Sequence, residues 1–517
     1  MKYACLAAAA LLACSGARST RTRAPEAPDR STRLVVLLVL DQWPEWSFEA
    51  KRGAFHAGFD RLLSEGEWFV GEHPSAATLT APGHALLGTG APPATSGILA
   101  NEWWHRDLHE VLASVENEDG TDTTKWLRVP GLGDALSKTQ GKAVALSLKA
   151  RAALLPLGHT GLALYYDMHE RRFQAHQLAN ATPATVTLPW LEAYSTAHPI
   201  SLVPWTPLTE AMQLAGVADD RPGETGEAGF GPTFPHDPNA TKQPGHALFA
   251  MPLGNDVLFD LAAATIAGEG LGTDASPDLL VISLSAHDYV GHGWGHESIE
   301  QWDMELRLDQ RIASFMDALD QKVGADHWAM VVTSDHGAAP LPESIHGGRL
   351  THDQVRAAAN QAAVAVLGSG TWIDNAHYPN IYLSDAFKAQ PAGERKSAIQ
   401  RILAALRSFP SIEKVGAVAD IAGHCETRKP ADQPLCLTFD RERSGDLYYL
   451  PARGYIMDTE DEPAATAHGS LHDYDREVPL IVLGPRRTKH APATAPGEHR
   501  DMREVAPLLA SWLGVKL

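Results

Sequence analysis

The sequence predicts an α/β protein of the αβα sandwich class, with a mostly parallel central sheet and inserted cap regions. Two observations lead to this fold class. Unbroken runs of Val, Leu and Ile without polar alternation recur along the chain, which is typical of strands buried on both faces. Helical patterns lie between these runs, as expected when helices cover both faces of a sheet.

The apolar runs give the expected strands, and the amphipathic stretches give helices. The strands are predicted at Arg33–Leu40, Lys142–Leu148, Asp278–Leu284, Trp328–Thr333 and Val478–Leu483. Helices are predicted at Asp256–Ala267 and Glu300–Lys322. Three regions near residues 102–140, 170–245 and 370–465 are richer in Pro, Gly, Trp and His, and we expect them to be insertions or a cap.

Composition excludes some classes of function. The 517 residues contain 43 Lys and Arg against 63 Asp and Glu, a net charge of −20, with 44% hydrophobic and 21% charged residues. This balance is typical of a folded protein rather than a disordered one. The acidic surplus argues against a nucleic-acid scaffold role, because phosphate backbones bind basic surfaces. The length of the chain predicts one large domain with insertions, over residues 32–517, or two domains.

The first residues, MKYACLAAAALLACSG, are typical of an export signal, with Lys2 followed by a short apolar run. The run is too short for a transmembrane helix. Its last four residues, LLAC, resemble a bacterial lipobox, which would place a lipid anchor on Cys14; ordinary signal-peptidase cleavage nearby is the alternative. Residues 1–14 are therefore predicted to be the signal peptide and residues 15–31 a flexible tether. The expected location is the periplasm, or the outer membrane or cell exterior, of a bacterium.

The remaining two of the four cysteines form a close pair. Cys425 and Cys436 lie outside the leader, and an oxidising compartment favours a disulfide between them. A zinc-binding pair is the functional alternative, although the spacing differs from CxxC.

Acidic and imidazole side chains follow three of the predicted strands. Asp41 follows the first strand, Asp288 and His292 follow DLLVISL, and Asp335 with His336 follows WAMVVT. Ligands of open α/β sheets bind at the carboxyl ends of the strands, so these segments are expected to meet in one crevice. Imidazole and carboxylate ligands are those of a two-metal site with zinc-like ions.

A hydroxyl nucleophile is predicted at a strand-to-helix junction. In the segment TLTAPGHA, Thr80 is expected to be the helix N-cap, and Pro82 suits the first turn. Free backbone N–H groups and the positive helix end would favour a phosphate there. Thr78 is the rival hydroxyl, outside the expected helix.

Several motifs together carry a family resemblance that runs from about residue 33 to the C-terminus. The motifs are VLDQW, TAPGHALLGTG, GILANEW, SLKAR, SAHDYVGHGWG, TSDHGA, RSGDLYYL and HGSLHDYDREVPLIVLGP. In this order they resemble the PafA-type alkaline phosphatases of the alkaline phosphatase superfamily, which are related to the nucleotide pyrophosphatase/phosphodiesterases.

The resemblance implies roles for individual residues. It makes Thr80 the nucleophile and implies two Zn²⁺ ions per chain. Asp41, Thr80, Asp335 and His336 would bind one ion, and Asp288, His292 and His468 the other. His468, in the HGS motif, comes from the resemblance, since an isolated His before Gly-Ser otherwise indicates a loop.

The resemblance also distinguishes phosphate monoesters from diesters. PafA-type monoesterases have a Lys-x-Arg pair and an Asn, which match Lys149, Arg151 and Asn101, whereas the related diesterases lack the basic pair. In an extended segment Lys149 and Arg151 would point to the same side, where they would bind the phosphoryl oxygens.

The expected function is that of an exported di-zinc alkaline phosphatase, which hydrolyses a broad range of small phosphate monoesters through a phosphothreonine intermediate. A phosphodiesterase or nucleotide pyrophosphatase is the alternative enzyme, and a non-catalytic metal-binding surface lipoprotein is the alternative outside catalysis. A sulfatase is not expected, since the chain has no Cys/Ser-x-Pro-x-Arg segment. His84 and His287 are expected to support or pack the site, His296 to alter its surroundings, and Trp103 and Trp104 to pack the cap or line the pocket.

Overall fold

The structure is a computed structural model that describes residues 32–242, 244–458 and 463–517. The predicted signal peptide at 1–14, with its lipobox Cys14, and the predicted tether at 15–31 lie outside the described residues.

Strands and helices are numbered in chain order. The strands are β1 (Leu34–Leu40), β2 (Glu67–Glu72), β3 (Glu102–His105), β4 (Glu110–Ala113), β5 (Ala143–Ser147), β6 (Gly161–Asp167), β7 (Arg172–Ala179), β8 (Thr182–Val186), β9 (Asp278–Leu284), β10 (Trp328–Thr333), β11 (Gly348–Thr351), β12 (Ile373–Asn375), β13 (Asn380–Leu383), β14 (Ile412–Ala417), β15 (Leu447–Pro451), β16 (Tyr455–Asp458), β17 (Glu477–Leu483) and β18 (His499–Asp501). The α-helices are α1 (Glu45–Lys51), α2 (Gly58–Glu65), α3 (Thr80–Thr89), α4 (Pro93–Ser96), α5 (Leu132–Leu136), α6 (Ala150–Leu154), α7 (Pro189–Ala197), α8 (Thr209–Ala215), α9 (Pro244–Ala247), α10 (Leu253–Glu269), α11 (Ala286–Trp294), α12 (Ile299–Lys322), α13 (His352–Leu367), α14 (Asp385–Lys388), α15 (Ala392–Arg407), α16 (Gln433–Thr438), α17 (Asp473–Arg476) and α18 (Val505–Leu513).

A ten-stranded sheet forms the centre of the molecule, in the order β18-β2-β17-β10-β1-β9-β5-β6-β7-β8. Strand β1 lies between β9 and β10 and is parallel to both, and β5 and β6 continue the parallel part. This mixed, mostly parallel sheet confirms the predicted fold class. The run Val478–Leu483, expected to be one of the parallel strands, is β17 and pairs antiparallel with both β10 and β2. An apolar run indicates burial on two faces but carries no information on strand direction.

Alternate residues of β1 enter two different cores, one on each face of the sheet. Leu34, Val36, Leu38 and Leu40 pack in the core that includes residues of α10 and α12. Val35, Leu37 and Val39 pack in the core that includes residues of α3 and α18. Every residue of β1 is therefore fully buried, which explains why its sequence is apolar without alternation.

The three regions expected to be insertions differ from one another. Residues 102–140 contain the β3–β4 hairpin and α5. The region 370–465 belongs to a smaller four-stranded sheet, ordered β12-β13-β15-β14, that shares a third core with α13 and α15. In 170–245, however, β7 and β8 extend the central sheet itself, so this part is not a separate cap. Its strands lie toward the sheet edge and are half exposed, which explains their polar composition.

The structure forms the expected disulfide between Cys425 and Cys436, which are separated by 11 positions in the chain. No single helix within the described ranges is both long and apolar enough to cross a membrane. One sharply bent pair, 244–250 with 253–269, meets that test of length and composition only when its two parts are taken together.

Candidate active site

Three neighbouring parallel strands deliver the predicted metal ligands to one place. Asp41 directly follows β1, and Asp335 and His336 follow β10 after one intervening serine. Asp288 and His292 lie one helical turn apart on α11, which begins just after β9, so that their side chains share a face. The predicted ligands therefore meet at the carboxyl ends of the strands, as expected.

One group of possible metal ligands contains Asp41, Asp335 and His336, whose ligand atoms all lie within 4.8 Å of one another. All three residues are fully buried. Within the residues that the structure describes, Asp41 Oδ1 and His336 Nε2 have no hydrogen-bond partner, while Asp335 Oδ2 lies 3.1 Å from His84 Nδ1. Buried polar atoms are rarely left unsatisfied, and a cation bound by this group would satisfy the two unpartnered atoms.

A second group contains Asp288, His292 and His468, also within 4.8 Å. His292 Nδ1 lies 2.8 Å from the Thr466 carbonyl oxygen, and His468 Nδ1 lies 2.7 Å from that of Thr78. A carbonyl oxygen only accepts, so each Nδ1 carries a proton, and in the neutral imidazole each Nε2 presents a lone pair. The two Nε2 atoms are 3.3 Å apart.

The donor atoms of both groups fit divalent metal ions. His336 follows the same rule as the other two imidazoles, because its Nδ1 lies 3.0 Å from the Gly337 carbonyl oxygen. Backbone carbonyls thus orient three Nε2 lone pairs toward the site, as in metal centres whose ligands are held by outer contacts. Two lone pairs facing each other at 3.3 Å, between His292 and His468, repel unless a cation lies between them. Imidazole and carboxylate are ligands that zinc prefers.

Thr80 lies at the start of α3 and is 1% exposed. Its carbonyl oxygen lies 2.9 Å from His84 Nδ1, which is 3.1 Å from Asp335 Oδ2 of the first group. It was expected at the N-cap, but the N-cap is Leu79, and Thr80 is the first helical residue. The helix can approach closely because a Cβ atom on Gly83 would lie 2.2 Å from the Asp335 carbonyl oxygen. Glycine at this position of the TAPGH motif therefore allows α3 to pack against the backbone of Asp335.

The rival hydroxyl of Thr78 is engaged elsewhere. It lies 3.3 Å from the Ser470 carbonyl oxygen, which it can only donate to, while the Thr78 carbonyl orients His468. Thr78 therefore supports the second group, and Thr80 remains the candidate nucleophile.

Asn101 takes the capping role that was expected of Thr80. Its Oδ1 accepts a hydrogen bond of 2.8 Å from the Ala81 backbone N–H, which leaves the two donors of its amide for a ligand. The expectation of free backbone N–H groups is largely wrong: the Ala81 N–H is occupied, Pro82 has none, and that of Gly83 bonds to Leu79. Substrate oxygens would therefore rely on side chains and bound ions.

Lys149 links the two groups electrostatically. Its ammonium is buried and bonds to Asp41 Oδ2 at 2.8 Å and to Asp288 Oδ2. Lys149 is extended, but Arg151 lies in helix α6, so the expectation of an extended Lys-x-Arg segment is wrong. Helix α6 begins at Ala150, directly after its N-cap residue Lys149. Arg151 is half-buried, and its Nε has no hydrogen-bond partner among the described residues.

The carboxylates of the site have opposite pKa shifts. Burial raises the pKa of Asp41 well above its ordinary value, and the Asp335 charge adds to this. Burial acts in the same direction on Asp335, but His336 and His84 outweigh it and hold the Asp335 pKa below its usual range. For Lys149, burial would lower the pKa, yet the Asp288 and Asp41 charges raise it, so the ammonium stays charged.

The other predicted neighbours support the site rather than line it. His84 bonds to Ser283 and to the Thr80 carbonyl, and His287 Nδ1 donates to the Asp41 carbonyl at 2.9 Å. His287, His296 and Glu305 form a third buried set, in which the Lys51 ammonium lies 2.8 Å from Glu305. The ammonium of Lys51 is therefore the cation that balances the charge of Glu305 in this set.

The two tryptophans that follow Asn101 differ in burial. Trp103 is 1% exposed and packs in the core, as in the packing interpretation, whereas Trp104 is half-buried. Gln42, which the sequence reasoning passed over, contacts a carboxylate of each group. Its only signal in the sequence is its position directly after Asp41, at the end of a buried strand.

Known proteins resemble the chain over nearly all of its length. A family model described as type I phosphodiesterase / nucleotide pyrophosphatase matches residues 35–475. Alkaline phosphatase PhoV of Synechococcus elongatus is 29% identical over 571 residues, covering 100% of this chain and 97% of that protein. Alkaline phosphatase PafA of Elizabethkingia meningoseptica is 27% identical over 516 residues, covering 94% and 92%.

A solved structure gives the same result for the fold. The crystal structure of wild-type alkaline phosphatase PafA matches with a TM-score of 0.81 and 25% identity, covering 94% of this chain and 96% of that one. The resemblance expected from the motifs is thus confirmed.

Proposed function

Because the chain belongs to the type I phosphodiesterase / nucleotide pyrophosphatase family and is a phosphatase of the alkaline phosphatase superfamily, we propose that it hydrolyses phosphate monoesters with two zinc ions. The observation that carries this proposal is the pair of buried ligand groups joined by the Lys149 ammonium, with Thr80 linked to Asp335 through His84. Such a site suits a dianionic phosphoryl group, which needs positive charge from several directions.

We propose that each of the two groups of ligands binds one zinc ion. Asp41, Asp335 and His336, with Thr80, would hold one ion, and Asp288, His292 and His468 the other. When bound, the ions would favour the ionised hydroxyl and offset the charge that develops on the leaving oxygen.

Thr80 would attack phosphorus in line with the ester oxygen. A bond would form between the threonine oxygen and phosphorus as the bond to the leaving oxygen breaks, and the threonine proton would pass through solvent to the leaving oxygen, which departs as the alcohol. Water would then hydrolyse the phosphothreonine, which releases inorganic phosphate and regenerates the hydroxyl. The position at the start of α3 adds the positive end of the helix to this step.

Lys149, Arg151 and Asn101 would hold the phosphoryl oxygens. Ions bound to Asp41 and Asp288 would take up the carboxylate charge that now engages Lys149, which leaves its ammonium donors for an oxygen of the substrate. Asn101 offers its amide donors from the helix side, and Arg151 a guanidinium. Because these contacts are to phosphate, we propose a broad range of small monoesters.

Loss of the basic pair should damage monoester turnover selectively. With Lys149 and Arg151 both changed to Ala, we expect kcat/KM for a nitrophenyl monoester to fall by about 10²–10⁴, or ~3–5 kcal/mol of transition-state stabilisation. Turnover of a bis-nitrophenyl diester, which has one negative charge fewer, should fall by a smaller factor. The measurement is steady-state kinetics on both substrates with zinc content determined in parallel.

Exposed basic residues give the matched control. Lys138 and Arg401 are both exposed, and Lys138 precedes the amino end of β5, away from the strand ends that carry the site. The Lys138→Ala, Arg401→Ala double variant should keep wild-type kinetics. Equal losses on monoester and diester in the Lys149, Arg151 variant would contradict the assignment.

A phosphodiesterase or nucleotide pyrophosphatase is the second candidate, favoured by the description of the matching family model. It predicts that the diester is the better substrate and that the basic pair matters little.

We also propose that the protein is exported and anchored by a lipid on Cys14. Expressed in a bacterial host, the wild-type protein should fractionate with the membrane, and the Cys14→Ser variant should not. Retention of an uncleaved, cytoplasmic chain would contradict export, and an unlipidated soluble wild type would contradict the anchor.

A further inference from the structure

Gln42 lies between the two ligand groups and contacts both. Its backbone N–H donates to Asp335 Oδ1 at 3.2 Å, in the first group. Its side-chain Nε2 donates to Asp288 Oδ1 at 2.8 Å, in the second group. The residue is fully buried. A single residue thus fixes one carboxylate of each group.

His296 holds the side-chain amide of Gln42 in one orientation. Its Oε1 lies 3.0 Å from His296 Nε2, and a carboxylate can only accept, so the NH₂ end must face Asp288. A Cβ atom on Gly291 would lie 2.0 Å from the same Oε1. Glycine at that position on α11 therefore leaves the space that the amide needs.

The backbone of Gln42 indicates that its side chain is retained for a reason. Its φ angle is 60°, in the left-handed region that costs a residue with a Cβ about 1 kcal/mol and that glycine adopts freely. Glycine would turn the chain after β1 without that cost. Such strain persists where the surroundings require a particular side chain.

We propose that Gln42 is a positioning residue that orients Asp288 for the ion of the second group while its backbone N–H holds Asp335 of the first. This inference rests on the proposed two-ion function. The contacts of Gln42 leave an oxygen lone pair on each carboxylate available to a metal ion. Asp335 Oδ2 stays free of Gln42, and Asp288 Oδ1, which lies 3.2 Å from His292 Nε2, keeps a second lone pair.

The two contacts predict an asymmetric effect. A side-chain substitution removes the donor to Asp288 but keeps the N–H that bonds to Asp335. Loss of a contact that orients a metal ligand typically weakens metal binding about 10–100-fold. We therefore expect the affinity for one zinc ion to fall by about that factor, and the affinity for the other to stay within about threefold.

The test uses the full-length protein, zinc and a chromophoric chelator as competitor. Gln42→Met keeps the length of the side chain without the donor, and Gln42→Gly relieves the backbone while removing the amide. Gln301→Met is the matched control, because Gln301 is a buried glutamine that contacts His287 rather than a ligand carboxylate. The weakened step should be the one that is missing in a His468→Ala variant, and the melting temperature of the metal-free protein should stay near that of the wild type.

The outcomes separate this inference from the proposed function. Equal weakening of both zinc steps, a change in neither, or the same loss in Gln301→Met would overturn the role of Gln42 and leave the two-ion function intact. A wild-type protein that binds fewer than two zinc ions would overturn both. Gln42→Gly keeps the test valid if the methionine variant fails to fold.

Discussion

Replacing Thr80 by Ala is expected to lower kcat for phosphate monoesters by a factor of about 10³ or more, or ~4 kcal/mol, because the attacking oxygen is lost. Thr80 is the first residue of α3 and is not its N-cap, so the substitution removes no capping bond of the helix. Stability should therefore change little. The first group loses one of its four proposed ligands but keeps Asp41, Asp335 and His336, so we still expect two zinc ions per chain. Stopped-flow kinetics of a nitrophenyl monoester should also lose any burst of product.

Thr80→Ser is the matched control, because it keeps the hydroxyl. It should retain measurable turnover and, when quenched with acid during turnover, carry one phosphate on residue 80 by peptide mass spectrometry. Near wild-type turnover in Thr80→Ala, or a phosphate on a residue other than 80, would contradict the covalent mechanism.

Replacing His468 by Ala is expected to lower the zinc content from two ions per chain to one. His468 is one of the three candidate ligands in the second group, whereas Asp41, Asp335 and His336 remain intact. Monoester turnover should fall by about 10³ or more, ~4 kcal/mol, because the leaving oxygen loses its stabilising charge. Elemental analysis after dialysis against zinc gives the ion count, and steady-state kinetics the rate.

His424→Ala is the control for this substitution. The His424 side chain is 74% exposed, so the variant should bind two zinc ions and keep its rate. A His468→Ala protein with two tightly bound ions would remove His468 from the ligand set.

The central strands could be predicted from sequence because burial leaves a direct mark on composition. The expected strands at Asp278–Leu284 and Trp328–Thr333 agree with β9 and β10 to the residue. Strand direction leaves no such mark, which explains the error for β17. In 170–245 the edge strand β8 and its neighbour β7 are partly exposed, and their polar composition is like that of a cap.

The site residues that directly follow strand ends could be predicted from the sequence. Asp41, Asp288, His292, Asp335 and His336 meet as expected, because parallel neighbours end at one edge. His468 lies in a loop after β16. Its sequence position is far from the other ligands, so only the family motif predicted that it belongs to the site. Arg151 was misplaced because three residues, Lys-Ala-Arg, do not tell a strand end from a helix start. Gln42 was missed because its role depends on contacts across 246 and 293 positions.

The net charge of −20 is compatible with an anionic substrate because the relevant field is local. Three buried aspartates of the acidic surplus are ligand candidates, and the Lys149 ammonium lies among them. Two bound dications would make the crevice positive while the remaining surface stays acidic.

The most direct test of the account is the ratio of monoester to diester hydrolysis after zinc is removed with a chelator and restored. We expect the metal-free protein to be inactive, zinc to restore activity at two ions per chain, and the nitrophenyl monoester to be turned over with the higher kcat/KM. A preference for the bis-nitrophenyl diester would contradict the monoesterase function and favour the phosphodiesterase. No hydrolysis of either substrate by the zinc-loaded protein would favour a metal-binding surface protein.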